Sequence, residues 1–135
     1  MSIQVYWEDS SHMIVRWTFA EMWTWADVQA ALHKTVALRS HVEHPVILLI
    51  DQSAAVNMLS SGAVTHLTHL VQSDVTARRL LVFVTPFEFY HQVMRVILNG
   101  FPDLARKTFV LRTTQEADRL LEAYRDPRNR RARTG

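Results

Sequence analysis

Five consecutive apolar residues, Val46-Ile47-Leu48-Leu49-Ile50, constrain this chain more than any other stretch. They show no polar alternation, so the strand they form needs cover on both faces, the habit of a central strand in a sheet flanked by helices. Leu80-Leu81-Val82-Phe83-Val84 repeats the pattern. Two doubly buried strands separated by a segment of helical period predict a parallel pair joined by a crossover helix, and hence an α/β fold.

The remaining segments fit that frame. Ile3, Val5 and Trp7 alternate with polar neighbours, as do Met13, Val15, Trp17 and Phe19, and the turn cluster Asp9 to His12 between them predicts an antiparallel hairpin. Thr24 with Asp27 reads as a capping box opening a helix with Trp25, Val28, Leu32 and Val36 on its apolar stripe, ended by His44-Pro45. A second helix is expected from Ser60 or Ser61 with Val64, Leu67, Val71 and Val75 inward. A third follows Pro86, with Phe89 or Tyr90, Val93, Met94 and Ile97 inward and Gly100 as its C-terminal cap. Thr108 to Leu111 is a short strand, and Thr113 with Glu116 caps a last helix whose stripe is Ala117, Leu120, Leu121 and Tyr124. The order is ββαβαβαβα: a mixed, mostly parallel sheet with helices packed on it.

The chain of 135 residues, 48% apolar, reads as one domain over residues 1–125. Of its 15 basic residues, Arg125, Arg128, Arg130, Arg131 and Arg133 lie in the last eleven positions against the single acid Asp126. The basic character therefore belongs to a tail, 126–135, that has nothing to bury and is expected to fray. The body is near neutral, which argues against a nucleic-acid-binding domain. Without cysteine there is no disulfide or thiolate chemistry. No bilayer-length apolar run and no basic-then-apolar leader are present, so a cytoplasmic protein is expected.

In an open parallel sheet, ligands meet the protein beyond the carboxyl ends of the strands. Three connections leave from that edge, Ala20 to Trp25, Asp51 to Ser61 and Thr85 to Phe89, and together they supply Met22, Trp23, Trp25, Met58, Leu59, Phe87 and Phe89 with Asp51, Ser53, Ser60 and Ser61. These residues have two readings. They line an apolar cleft or partner surface, or the aromatics close the end of the core. Ser60-Ser61-Gly62 reads as a helix N-cap, an anion-binding helix start, or a serine that accepts a phosphoryl group. His66 and His69 fall opposite the expected apolar stripe, on a solvated face with no third metal ligand, while His91 opens the third helix near the rim and is the better binding contact. Nucleophile elbow, phosphate-binding glycine loop and zinc signature are all missing, so neither a cofactor nor a metal is expected.

Leu59-Ser60-Ser61-Gly62, after Ile50-Asp51-Gln52-Ser53, resembles the Asp-Ser-Ser-Gly motif that follows the central strand of STAS domains. That fold occurs in bacterial anti-sigma-factor antagonists and in the cytoplasmic ends of sulphate transporters. Phe101-Pro102-Asp103-Leu104, Phe109-Val110-Leu111 and Thr114-Gln115-Glu116-Ala117 resemble the family's closing helix, strand and helix. The resemblance implies a signal-transduction module without enzymatic activity. Ser60 sits at the phosphorylated position, and the partner is a kinase or anti-sigma-like protein docked around Ser53 to Gly62. Leu59 stands where the family carries an acid. The alternative is an apolar small molecule or lipid held in the Trp/Phe/Met-lined cleft, as suggested for divergent relatives by analogy with CRAL-TRIO lipid carriers. An exposed rim of this kind also favours a homodimer.

Overall fold

Alternating apolar residues build the hairpin: β1 (Ile3–Trp7) pairs antiparallel with β2 (Ile14–Phe19), Ile3 opposite Phe19 and Trp7 opposite Val15. The computed structural model, which describes residues 2–73 and 78–125, continues with α1 (Trp25–Arg39), β3 (Val46–Asp51), α2 (Ala63–Gln72) and β4 (Arg78–Val84). After these come α3 (Glu88–Asn99), α4 (Pro102–Ala105), β5 (Thr108–Leu111) and α5 (Thr114–Arg125). The strands lie in chain order, β1-β2-β3-β4-β5, and every pair after the first is parallel. β3 is buried along its whole length.

Each crossover advances one strand in the same direction, and right-handed connections then place α1, α2 and α3 on one face. There Val28 and Leu32, Leu67 and Val71, and Tyr90 and Met94 meet Trp17, Leu48, Ile50, Leu81 and Phe83. On the other face α5 packs Ala117 and Leu121 against Ile47, Leu49, Leu80, Val82 and Val84. Between β3 and β4 the register slips, Val46 facing Arg78 and Ile47 facing Leu80. The skipped residue, Arg79, lays its guanidinium over the Tyr124 ring of α5 at 4.6 Å. Glu8, just past β1, binds both Arg16 and Arg125, and Arg16 donates to Asp51 at 2.7 Å. The Glu8 carboxylate raises the pKa of Arg125.

Helix ends and stripes depart from the sequence expectation in several places. Thr24 and Asp27 form the expected capping box, and Thr113 and Glu116 exchange the same pair of bonds. The inward stripe of α1 includes Ala31 and Thr35, while Val36 is 44% exposed. Thr35 is buried because its hydroxyl accepts from the Trp17 indole at 2.8 Å and donates to the Ala31 carbonyl. α2 begins at Ala63, not at Ser60 or Ser61, with Gly62 as its N-cap and no side-chain cap bond; Val64 faces solvent and Leu70 takes its place inward. Pro86 precedes α3 by two residues rather than opening it. Gly100 caps α3 with right-handed backbone, and Pro102 opens the short α4, absent from the element order ββαβαβαβα although the Phe101–Leu104 run resembles a helix of the STAS family. Val75 and the arginine tail lie outside the described residues.

Candidate functional site

Because β2, β3 and β4 run parallel, their carboxyl ends share an edge, and the three connections expected to converge do so. The eleven residues between β3 and α2 form no helix or strand, so their backbone must find partners elsewhere. Asn57 supplies some of them. Its side-chain oxygen accepts from the Trp23 N–H at 3.1 Å, its amide donates to the Trp23 carbonyl at 2.9 Å, and the Trp23 indole donates to the Asn57 carbonyl at 2.9 Å. The Tyr90 hydroxyl accepts from the Leu59 N–H at 2.9 Å and donates to the Leu59 carbonyl at 2.8 Å. The Trp25 indole donates to the Ser61 carbonyl at 2.9 Å. Three aromatic side chains thus hold one irregular segment by its main chain. Burial pushes the Tyr90 phenol up to about 12.

The rings pack on one another. Trp23 stands edge-on to Phe19 and Trp25, with centroids 5.2 and 4.9 Å away, and Tyr90 touches Trp23, Trp25, Phe83, Phe87 and Phe89. Offset and T-shaped contacts of this kind are the favoured ones for aromatic quadrupoles. The space left beneath them, between Phe19, Trp25, Gln52 and Leu67, is about 10 Å³, scarcely one water. Trp23 is buried in the core, and Trp25, Phe87 and Phe89 are half-buried and packed against it. The buried Gln52 side-chain oxygen accepts no hydrogen bond from any described residue.

The outer surface of the same edge carries exposed apolar side chains. Met22, Val56 and Met58 are 63%, 66% and 39% exposed, and Val64 in the first turn of α2 is exposed as well. Met22 and Val56 are brought together because the Glu21 carbonyl accepts from the Val56 N–H at 2.7 Å. Ser53, Ser60 and Ser61 are exposed and Leu59 is half-buried. Gly62 has φ +76, a left-handed backbone that favours glycine at the bend into α2, and a Cβ there would lie 3.2 Å from the His66 ring, a contact to which that ring would have to yield.

One expected site residue stands on the other side of the sheet, and another is tied to the third connection. Asp51 points to the opposite face of the sheet, where Arg16 binds one carboxylate oxygen and the Ser53 N–H donates to the other. His91 spends a ring nitrogen on the Thr85 carbonyl at 2.8 Å. His66 is not solvated as expected: it stacks on Trp25 at 4.7 Å with 10° between planes. Its position follows from Val64 facing out, which turns the helix. Among the described residues no three His, Asp or Glu side chains gather to hold a metal ion.

Asn57 and Tyr90 were missed as holders of the loop. Tyr90 had a signal in its spacing to Val93, Met94 and Ile97. Asn57 had none, its partner being 34 residues away. No known protein family matches the chain, nor does any curated protein or solved structure. No described helix is long and apolar enough to cross a membrane.

Proposed function

We propose that this protein is a non-enzymatic interaction module, STAS-like in its logic, that docks a protein partner through the segment Ser53 to Gly62. One observation carries the reading: Met22, Val56 and Met58 are exposed on backbone that side-chain hydrogen bonds hold in place. A solvent-facing apolar cluster costs solubility unless something covers it, and a preorganised one loses little entropy on binding. Exposed Ser60 and Ser61 lie in the same segment. A phosphoryl group on Ser60 adds a dianion beside the start of α2, stabilised there by the helix dipole and repelling an apolar partner. Leu59, in place of the family's acid, is half-buried against Tyr90, so a kinase that reads this serine reads it without that carboxylate.

The test is crosslinking followed by mass spectrometry in extracts of the source cell, comparing the wild-type chain with Val56→Asp/Met58→Asp and with Ser60→Asp. The expected result is a partner crosslinked through residues 53–62 in the wild type and lost in both variants. Identical crosslinks in all three chains would overturn the reading. A second copy of the chain as the crosslinked species would replace the hetero-partner with self-association.

A further inference from the structure

With no cysteine in the chain, five methionines carry all of its sulfur. Met1 lies outside the described residues. Of the other four, Met94 is fully buried in the core, and Met13 is half-buried just before β2, at the opposite end of that strand from the aromatic edge. Met22 and Met58 are 63% and 39% exposed, and both belong to the apolar cluster that the docking reading uses. Their backbones run side by side. The Glu21 carbonyl accepts from the Val56 and Asn57 N–H groups at 2.7 and 3.4 Å, and the Trp23 N–H donates to the Asn57 side chain at 3.1 Å. Each methionine is thus next in sequence to a residue that holds the two segments together, yet no thioether takes part in those bonds or in the ones Tyr90 and Trp25 make.

A thioether is soft and apolar, whereas its sulfoxide is polar. In the reaction with hydrogen peroxide a sulfur lone pair attacks one peroxide oxygen. The S–O bond forms as the O–O bond breaks, the sulfur gives up two electrons, and the departing hydroxide takes the proton of the transferred oxygen and leaves as water. In a packed core such a change disrupts its neighbours. At Met22 and Met58 it alters the face shown to solvent while the bonds beneath it stay made. We infer that Met22 and Met58 form a reversible oxidation site that turns docking off: once both are sulfoxides, an apolar partner surface has to desolvate two strong dipoles to cover them, and enzymatic reduction of the sulfoxides restores the surface. The regulatory consequence rests on the docking reading.

The purified full chain is treated with hydrogen peroxide, freed of it, and mapped by tryptic mass spectrometry, which puts Met22, Met58 and Met94 on separate peptides. Met22 and Met58 are expected to oxidise at least about tenfold faster than Met94, with the unfolding temperature unchanged and retention on a phenyl column reduced. Methionine sulfoxide reductases restore that retention. In the crosslinking assay, yield through residues 53–62 should fall at least about tenfold on oxidation, return after reduction, and persist in peroxide-treated Met22→Leu/Met58→Leu. Equal yield from reduced and oxidised chains, oxidation of Met94 as fast as Met22, or loss of yield in the peroxide-treated leucine variant would each overturn the switch and leave docking intact. No crosslinked partner for either the reduced chain or the untreated leucine variant would instead remove the docking reading, and the switch with it.

Discussion

The space between α1 and α2 ends differently at its two extremities. Toward the carboxyl edge Trp25 of α1 lies flat on His66 of α2, Gly62 lets the chain approach that stack, and the remaining volume is about 10 Å³. Toward the amino edge Gln29, His33 and Val36 face His69 and Ser73, and about 180 Å³ stays open. The backbone arrangement is shared; the side chains decide. Planar rings fill the first end, and their polar atoms are satisfied by loop main chain. At the second end the side chains are shorter or reach solvent, so the same pair of helices leaves a groove. One end holds a loop by its main chain, and the other leaves space between the helices.

Substitutions sharpen this contrast. Trp23→Ala should cost most, about 3–5 kcal/mol, because it removes a buried ring and the indole bond to the Asn57 carbonyl; equilibrium urea unfolding measures it. Tyr90→Phe should cost about 1–3 kcal/mol by leaving the Leu59 N–H and carbonyl without their partner. The same variant has a pH signature. In the folded chain the phenol keeps its proton up to about 12 rather than 10.0. The unfolded chain therefore releases that proton first, and the wild type loses stability as pH rises through this window. Tyr90→Phe should lack that component, which unfolding curves at pH 9 and 11.5 would reveal. Gly62→Ala should cost about 1–2 kcal/mol from its positive φ alone. Val36→Ser, at the open end, should change stability by no more than about 0.5 kcal/mol. If it instead cost as much as Trp23→Ala, the two ends would be equally packed and the contrast would be wrong.

Sequence periodicity revealed the α/β class, the five strands and the convergence of three connections, because each rests on local patterns: doubly apolar runs, alternation, capping pairs. It failed where a rotation of a few tens of degrees matters. Taking Val64 as inward in α2 turned His66 toward solvent; the structure instead buries Ala63, Leu67, Leu70 and Val71 and lays His66 on Trp25. The serines seemed the natural cap because serine favours that position, yet the Trp25 indole binds the Ser61 carbonyl and Gly62 makes the bend. Its place at the end of the central strand puts Asp51 on the rim by sequence alone. Strand alternation sends its side chain to the other face, and Arg16 holds it there. The space between the helices escapes periodicity for a similar reason: Gln29 and His33 on one helix line it only together with His69 on another.

The bond between Glu8 and Arg125 joins residues 117 positions apart, nearly the whole length of the chain. The two ends of the chain are brought within reach by the neighbour-to-neighbour strand pairs that run from β1 to β5, so this one bond depends on every pairing in the sheet while lying outside all of them.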